Sequence, residues 1–200
     1  MSGAASMTPR LIFAVVLIWF LLALVAGATG RVAALPFPGP QLVVLVLTVV
    51  AALAGTRSAP AREWVDSIPV RGLVGMHAAR FVGIAFLVLG RRGELSPVFA
   101  WRAGWGDIVT AALAVVLVAS GVPRSRLHRS FYLAWNTLGL LDLIVVVATA
   151  AWVAGRKLVP GMAPLLHLPL SLLPTFFVPI LIASHVFLYR RLVAPRPKAR

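Results

Sequence analysis

Six runs of apolar residues divide this 200-residue chain, and most of them are long enough to form helices that cross a lipid bilayer. Only 12% of the residues are charged, whereas soluble domains carry about a quarter. We therefore expect an all-α, polytopic membrane helix bundle with six transmembrane helices, although the second run is short. The predicted spans are about 11–29, 41–55, 72–90, 107–122, 130–155 and 169–192, followed by a basic tail at 193–200.

The first apolar run has two interpretations. Residues 11–28 contain no charge and exceed the 7–15 residues of a signal-peptide core, which favours a retained membrane span. The small residues Ala26-Gly27-Ala28 resemble a signal cleavage site. A cleaved signal over residues 1–28 therefore stays open as the alternative.

Basic residues are divided unequally between the two sides of the predicted bundle. Twelve lie on the side of the termini and six on the other, so the positive-inside rule predicts that both termini are cytoplasmic. This distribution accounts for the net charge of +14 without a nucleic-acid partner. His128, within a basic loop, is expected to be solvated. The bias towards Ala, Val, Leu, Arg and Gly indicates a bacterial gene, and hence the bacterial cytoplasmic (inner) membrane with the lipid bilayer as partner.

Two connecting segments are predicted to lie at the membrane boundary because they mix charged and aromatic residues. The first covers residues 56–71. The second covers residues 94–106 and contains Trp101 and Trp105. Asp107 is then predicted to begin the fourth helix, where its carboxylate caps free backbone amides.

The third run carries a charge in its middle, Arg80, which costs roughly 2.5 to 3.5 kcal/mol at the centre of a bilayer. His77 lies three residues earlier, on the same face of a helix. Asp142 stands about twelve residues into the fifth span and so lies near the middle of the membrane. An ion pair between Arg80 and Asp142 would compensate both charges.

Further polar residues are predicted at a similar depth, and they are candidates for a ligand site or a proton path. His77, Asn136 and His185 fall in the cytoplasmic third of the third, fifth and sixth spans. Asn136 is the weakest of these candidates, since it lies about 120° around the helix from Asp142. The whole cluster is expected to be close to neutral, so no strongly charged substrate is indicated. Its alternative role is to hold the helices together, at about 0.6 kcal/mol for each polar side chain.

Two prolines interrupt the sixth span. Pro174 removes the amide that would bond the Leu170 carbonyl, and Pro179 does the same for Thr175, so two acceptors are predicted to be exposed within the membrane. Broken helices of this kind line binding sites in transporters. The alternative is a kink repaired by neighbouring groups.

The remaining sequence features exclude several functions. The chain has no cysteine, which rules out disulfides, thiolate metal sites and covalently attached haem. It also lacks the zinc, hydrolase and phosphate-loop motifs, which favours a protein that is not an enzyme. Three hypotheses follow. The protein is an accessory or small-ligand-binding membrane subunit, a small-solute or proton-coupled transporter, or a protein that binds haem b or quinone. An accessory role predicts a membrane-protein partner or a homo-oligomer.

Overall fold

The structure is a computed structural model that describes residues 7–194, and all the regular secondary structure of these residues is helical. It contains six helices that are long and apolar enough to cross a membrane, which confirms the predicted helix bundle. The end of the predicted basic tail, residues 195–200, lies outside the described residues. The six spans are Pro9–Ala28, Gly39–Arg57, Val70–Arg91, Pro97–Ser120, Arg126–Gly155 and Leu173–Val193.

Two of the spans are built from more than one helical segment. The third contains a 3-10 helix at Met76–Val82, and the sixth begins with a π-helix at Leu173–Phe177. A short 3-10 helix also lies in the last connection, at Ala163–Leu166. The α-helices are α1 (Met7–Ala28), α2 (Gly39–Arg57), α3 (Ala59–Ser67), α4 (Val70–Gly75), α5 (Gly83–Arg91), α6 (Pro97–Ser120), α7 (Arg126–Gly155) and α8 (Val178–Val193).

The core of the bundle consists of two apolar clusters with a polar layer between them. One cluster lies where α8 ends, which we call the tail end, and it includes Leu73, Tyr132, Trp135 and Leu188. The other lies at the opposite, far end of the bundle. It is formed by Phe86, Leu95, Phe99, Ala100, Ala103, Val146 and Val153. Because both clusters exclude water, the polar groups between them depend on one another for hydrogen bonds.

Segment 56–71, predicted to lie along the membrane surface, forms the short helix α3 and packs on the tail end through buried Val65. Three arginines join this end of the bundle by bonding carbonyl and carboxylate oxygens. Arg129 donates to the carbonyls of Leu192 and Ala194, Arg190 bonds Asp66 and the Gly55 carbonyl, and Arg191 donates to the Ile68 carbonyl.

The prediction that the fourth helix begins at Asp107 is wrong. Helix α6 begins ten residues earlier, at Pro97, so Trp101 and Trp105 lie on a helix and not in a loop. Proline at the first helical position suits a helix start, since it has no amide to leave unpaired there. Asp107 therefore lies in the interior of the helix and does not cap its N-terminus.

The prediction that two carbonyls are exposed in the sixth span is also wrong. The Leu170 carbonyl accepts from the Leu173 amide at 3.0 Å. The Thr175 carbonyl accepts from the indole nitrogen of Trp19, in the first span, at 2.8 Å. The Thr175 hydroxyl donates to the Ser171 carbonyl. The backbone groups freed by Pro174 and Pro179 are thus repaired by a turn and by a neighbouring helix.

Trp19→Phe should destabilise the protein by about 1 to 3 kcal/mol, because it removes the donor of the Thr175 carbonyl and keeps most of the aromatic contact with Phe176. Unfolding in mild detergent measures the change. The matched control is Trp152→Phe, on the exposed surface of α7, with an expected change below about 0.5 kcal/mol. Equal effects of the two substitutions would contradict this interpretation.

Candidate functional site

His77 and Arg80 lie on the irregular part of the third span. In a 3-10 helix, residues three apart are stacked directly above one another. Both side chains are buried, with 0% and 1% of their surface exposed. The predicted common face is therefore present, and it is turned into the bundle.

The guanidinium of Arg80 binds two carboxylates and one backbone carbonyl. Its Nε donates to Asp107 Oδ1 at 2.6 Å, and its Nη2 pairs with Asp142 Oδ2. Its Nη1 donates to the Gly139 carbonyl at 3.1 Å. The predicted ion pair with Asp142 is present, but it is one half of a larger group. We call Arg80, Asp107 and Asp142 the charged triad.

Sequence reasoning missed Asp107 because it placed this residue at a helix end. The sequence did contain a usable signal, since Pro97 can begin a helix and no further proline follows until Pro123. The second carboxylate also changes the charge of the cluster. One guanidinium faces two carboxyl groups where the sequence indicated one, so the formal charge of the cluster is −1 when both are ionised and zero when one of them is protonated.

Two glycines allow the helices to approach closely around the triad. A Cβ atom at Gly106 would overlap the carboxylate of Asp142. A Cβ atom at Gly139 would lie 2.9 Å from Cε1 of His185 and 3.0 Å from Cγ2 of Thr110. Small residues at membrane helix interfaces let backbones pack closely and let polar side chains meet across them.

A second polar group, which we call the histidine layer, lies beside the triad towards the tail end. His77 and His185 pack with ring centroids 4.4 Å apart, and Trp135 contacts both rings. His77 Nε2 bonds Ser184 Oγ at 2.9 Å, and His185 Nδ1 bonds Asn136 Oδ1 at 2.8 Å. Asn136, the weakest candidate from the sequence, is thus fully buried and belongs to the layer through His185, not through Asp142.

Hydrogen bonding assigns the proton on each ring. The Ser184 hydroxyl donates to the Leu181 carbonyl, so it must accept from His77 Nε2. The Asn136 amide donates to the His185 carbonyl, so its oxygen accepts from His185 Nδ1. Each neutral ring is left with one lone-pair nitrogen. His77 Nδ1 and His185 Nε2 are buried and have no hydrogen-bond partner among the described residues.

A cavity of about 330 Å³ reaches the triad from the far end. Its wall begins near Gln41 and Met162 and extends to Arg80 and Asp107, which lie halfway along their spans. Pro174 lines it, while Thr175, Pro179 and the two histidines do not. Most of the wall is apolar and includes Phe86, Phe99, Leu143, Val146, Leu173 and Phe177.

The six apolar helices and the buried polar layer define a multi-pass membrane protein with a charged centre between its third, fourth and fifth spans. The family described as Domain of unknown function (DUF8737) matches residues 37–193, and the chain belongs to this family. The triad, the histidine layer and the cavity all lie within the matched residues. Neither the curated proteins nor the solved structures contain a significant match.

Arg80→Met should cost about 3 to 5 kcal/mol of stability, because it leaves the buried carboxylate of Asp107 and the partly buried carboxylate of Asp142 without their cation. Adding Asp107→Asn and Asp142→Asn should recover most of that loss, since a neutral site no longer needs the guanidinium. Unfolding in mixed detergent micelles measures both variants.

The control for this series is Arg102→Met, an exposed arginine at the beginning of α6, whose removal should change stability by less than about 0.5 kcal/mol. If Arg80→Met were as stable as the parent protein, the triad would not be the electrostatic centre of the fold.

Proposed function

We propose that this protein binds a small amphiphilic molecule in the cavity between its spans, with the polar end of the molecule at Arg80 and Asp107. The observation that carries the proposal is the shape and lining of the cavity. Its wall is apolar over most of its length and ends on a buried ion pair. Ligand sites combine these two features, an apolar pocket and a few polar groups that fix orientation.

The charge of the site indicates which polar end it accepts. With both of its carboxyl groups ionised, the triad carries a formal excess of one negative charge, which is costly in surroundings of low dielectric. A hydroxyl or amine end, which donates hydrogen bonds to Asp107, therefore fits better than a carboxylate. Gln41, near the far end of the cavity, has a buried side-chain oxygen with no partner among the described residues and favours a donor in the same way.

Of the two cofactors considered from the sequence, a quinone in its reduced form fits this class and haem does not. A quinol would place a hydroxyl at Asp107 and its apolar body along the wall. Haem held between two histidines would need the porphyrin to lie between His77 and His185. Their ring centroids are only 4.4 Å apart, and neither ring lines the cavity.

A transporter would use the same cavity and would have to open it at both ends of the bundle. The wall extends from the far end to the middle of the spans, which supports binding from one side more than passage. An accessory subunit without a ligand needs no such cavity. A partner protein or a second copy of the chain stays a prediction from the sequence.

In the proposed orientation both termini lie in the cytoplasm of a bacterium and the cavity opens towards the outer side of its cytoplasmic (inner) membrane. Support comes from the basic residues, of which twelve belong to the tail-end side and six to the far-end side. The ligand would then enter from the periplasmic or outer side.

The binding proposal predicts selectivity among single-chain amphiphiles of equal length. Dodecanol and dodecylamine should raise the melting temperature of the purified protein, and dodecanoate should not, because its carboxylate would meet the excess negative charge of the triad. Asp107→Asn keeps the size of the side chain and should weaken binding of the amine about tenfold, since it removes the acceptor charge. Thermal unfolding with each probe measures the shifts.

Paired substitutions in α7 separate binding in the cavity from general partition into the micelle. Val146→Trp fills the cavity and should abolish the shift, whereas Val145→Trp, on the exposed surface next to it, should retain it. Equal shifts with all three probes, or an unchanged shift in Val146→Trp, would contradict the proposal.

The orientation can be tested by labelling single cysteines, because the chain has none of its own. Ser58→Cys is exposed at the tail end and Glu94→Cys at the far end. In intact cells, a maleimide that cannot cross membranes should label the second and spare the first. If only Ser58→Cys were labelled, the orientation would be the reverse of the proposed one, and the binding proposal would not be affected.

A further inference from the structure

A second cavity, of about 410 Å³, lies at the tail end, where three span ends meet. Arg71 reaches it from the beginning of the third span, and Ser120 from the end of the fourth. Arg124, Ser125 and His128 line it from the connection to the fifth span and from the first turn of that span. We call this cavity the basic pocket.

The basic pocket has a strongly positive lining. Two guanidiniums and an imidazole line it, and none of the lining residues carries a carboxylate. The 30-residue helix α7 begins at its wall and has no acidic residue in its first turn, so no carboxylate offsets the positive end of its dipole, and the Ser125 hydroxyl accepts from one of its amides. Arginines in cytoplasmic loops are common, but here two of them face one cavity together with a helix N-terminus.

Hydrogen bonds hold the wall of the pocket in place. The Tyr132 hydroxyl bonds the carbonyls of Leu117 and Gly121 at 2.7 Å each and so joins α7 to the end of α6. His128 Nε2 bonds Ser120 Oγ at 2.9 Å. These bonds fix the end of α6 against the first turns of α7, so this part of the wall is in place before an anion enters the pocket.

The position of the pocket is that of a lipid headgroup. Apolar side chains with more than half of their surface exposed lie directly beside it, among them Val122, Leu127 and Phe131. Such residues suit contact with acyl chains, so the boundary between hydrocarbon and water runs past the pocket. Basic pockets between membrane helices at the cytoplasmic side bind anionic headgroups.

We propose that the basic pocket binds the phosphate group of an anionic phospholipid, with Arg71 and Arg124 paired to the phosphate oxygens and the acyl chains lying along the exposed apolar side chains. This site is separate from the cavity that reaches the charged triad. A free phosphate ion has the same chemistry as the headgroup, and the experiment distinguishes the two sources.

The full-length protein in a neutral detergent is titrated with phosphatidylglycerol, and bound lipid is counted by native mass spectrometry. Phosphatidylglycerol should bind at least tenfold more tightly than phosphatidylcholine with the same chains. Replacing Arg71 and Arg124 with glutamine should weaken the binding of phosphatidylglycerol about fivefold for each charge removed, or about 25-fold for the double variant. The matched control replaces Arg156 and Lys157, an exposed basic pair at the far end, with glutamine and should not change binding.

Both arginines of the pocket are exposed, so the double variant should fold, and its melting temperature checks this. Binding by the double variant as tight as by the parent protein, or equal binding of the two lipids, would overturn the proposal.

Inorganic phosphate is added as competitor. If phosphate displaces half of the lipid at a concentration equal to that of the lipid, the acyl chains add nothing to binding and the assignment to a lipid is overturned. In the parent protein, rising salt concentration should weaken the binding of phosphatidylglycerol more than the binding of phosphatidylcholine.

Discussion

The burial of one guanidinium is the constraint on which the rest of this bundle depends. Arg80 lies halfway along the third span and has 1% of its surface exposed, so its charge must be met by protein groups. Asp107, Asp142 and the Gly139 carbonyl meet it, and each comes from a different helix or a different turn. The third, fourth and fifth spans are thereby fixed in register, because sliding any one of them would strand a charge.

The alternation of apolar and polar layers explains how such a costly centre is tolerated. Above and below it, two clusters of packed side chains exclude water. Within it, almost every buried polar atom has a partner. The described residues contain five exceptions. Three are acceptors, namely His77 Nδ1 and His185 Nε2 in the histidine layer and the Gln41 oxygen in the cavity wall, and the other two are the hydroxyls of Thr48 and Ser171. Unpaired acceptors at these positions are costly to the fold and suit groups that donate hydrogen bonds.

The sequence predicted the parts of the structure that follow from the length of its apolar runs and from the free-energy cost of a charge within the membrane. The six spans follow from apolar length, and the pairing of Arg80 with Asp142 follows from the need to neutralise two charges at one depth. Asp107 could not be predicted once the start of α6 was misplaced, since the site depends on where Pro97 begins the helix. Asn136 was the weakest candidate because it lies about 120° around the helix from Asp142. Its partner in the structure is His185, on the sixth span. The donors that repair the sixth span come from tertiary contacts, which local proline chemistry cannot indicate.

The contact between Trp19 and Thr175 has a consequence for how the chain is assembled. Helix α1 supplies the indole that completes the sixth span, so the bend at Pro174 and Pro179 gains its full set of bonds only when these two helices, distant in sequence, have met. The matched family region begins at residue 37, after this tryptophan. A chain reduced to that region would keep every charged group of the centre and lose the hydrogen-bond donor for its own final bend.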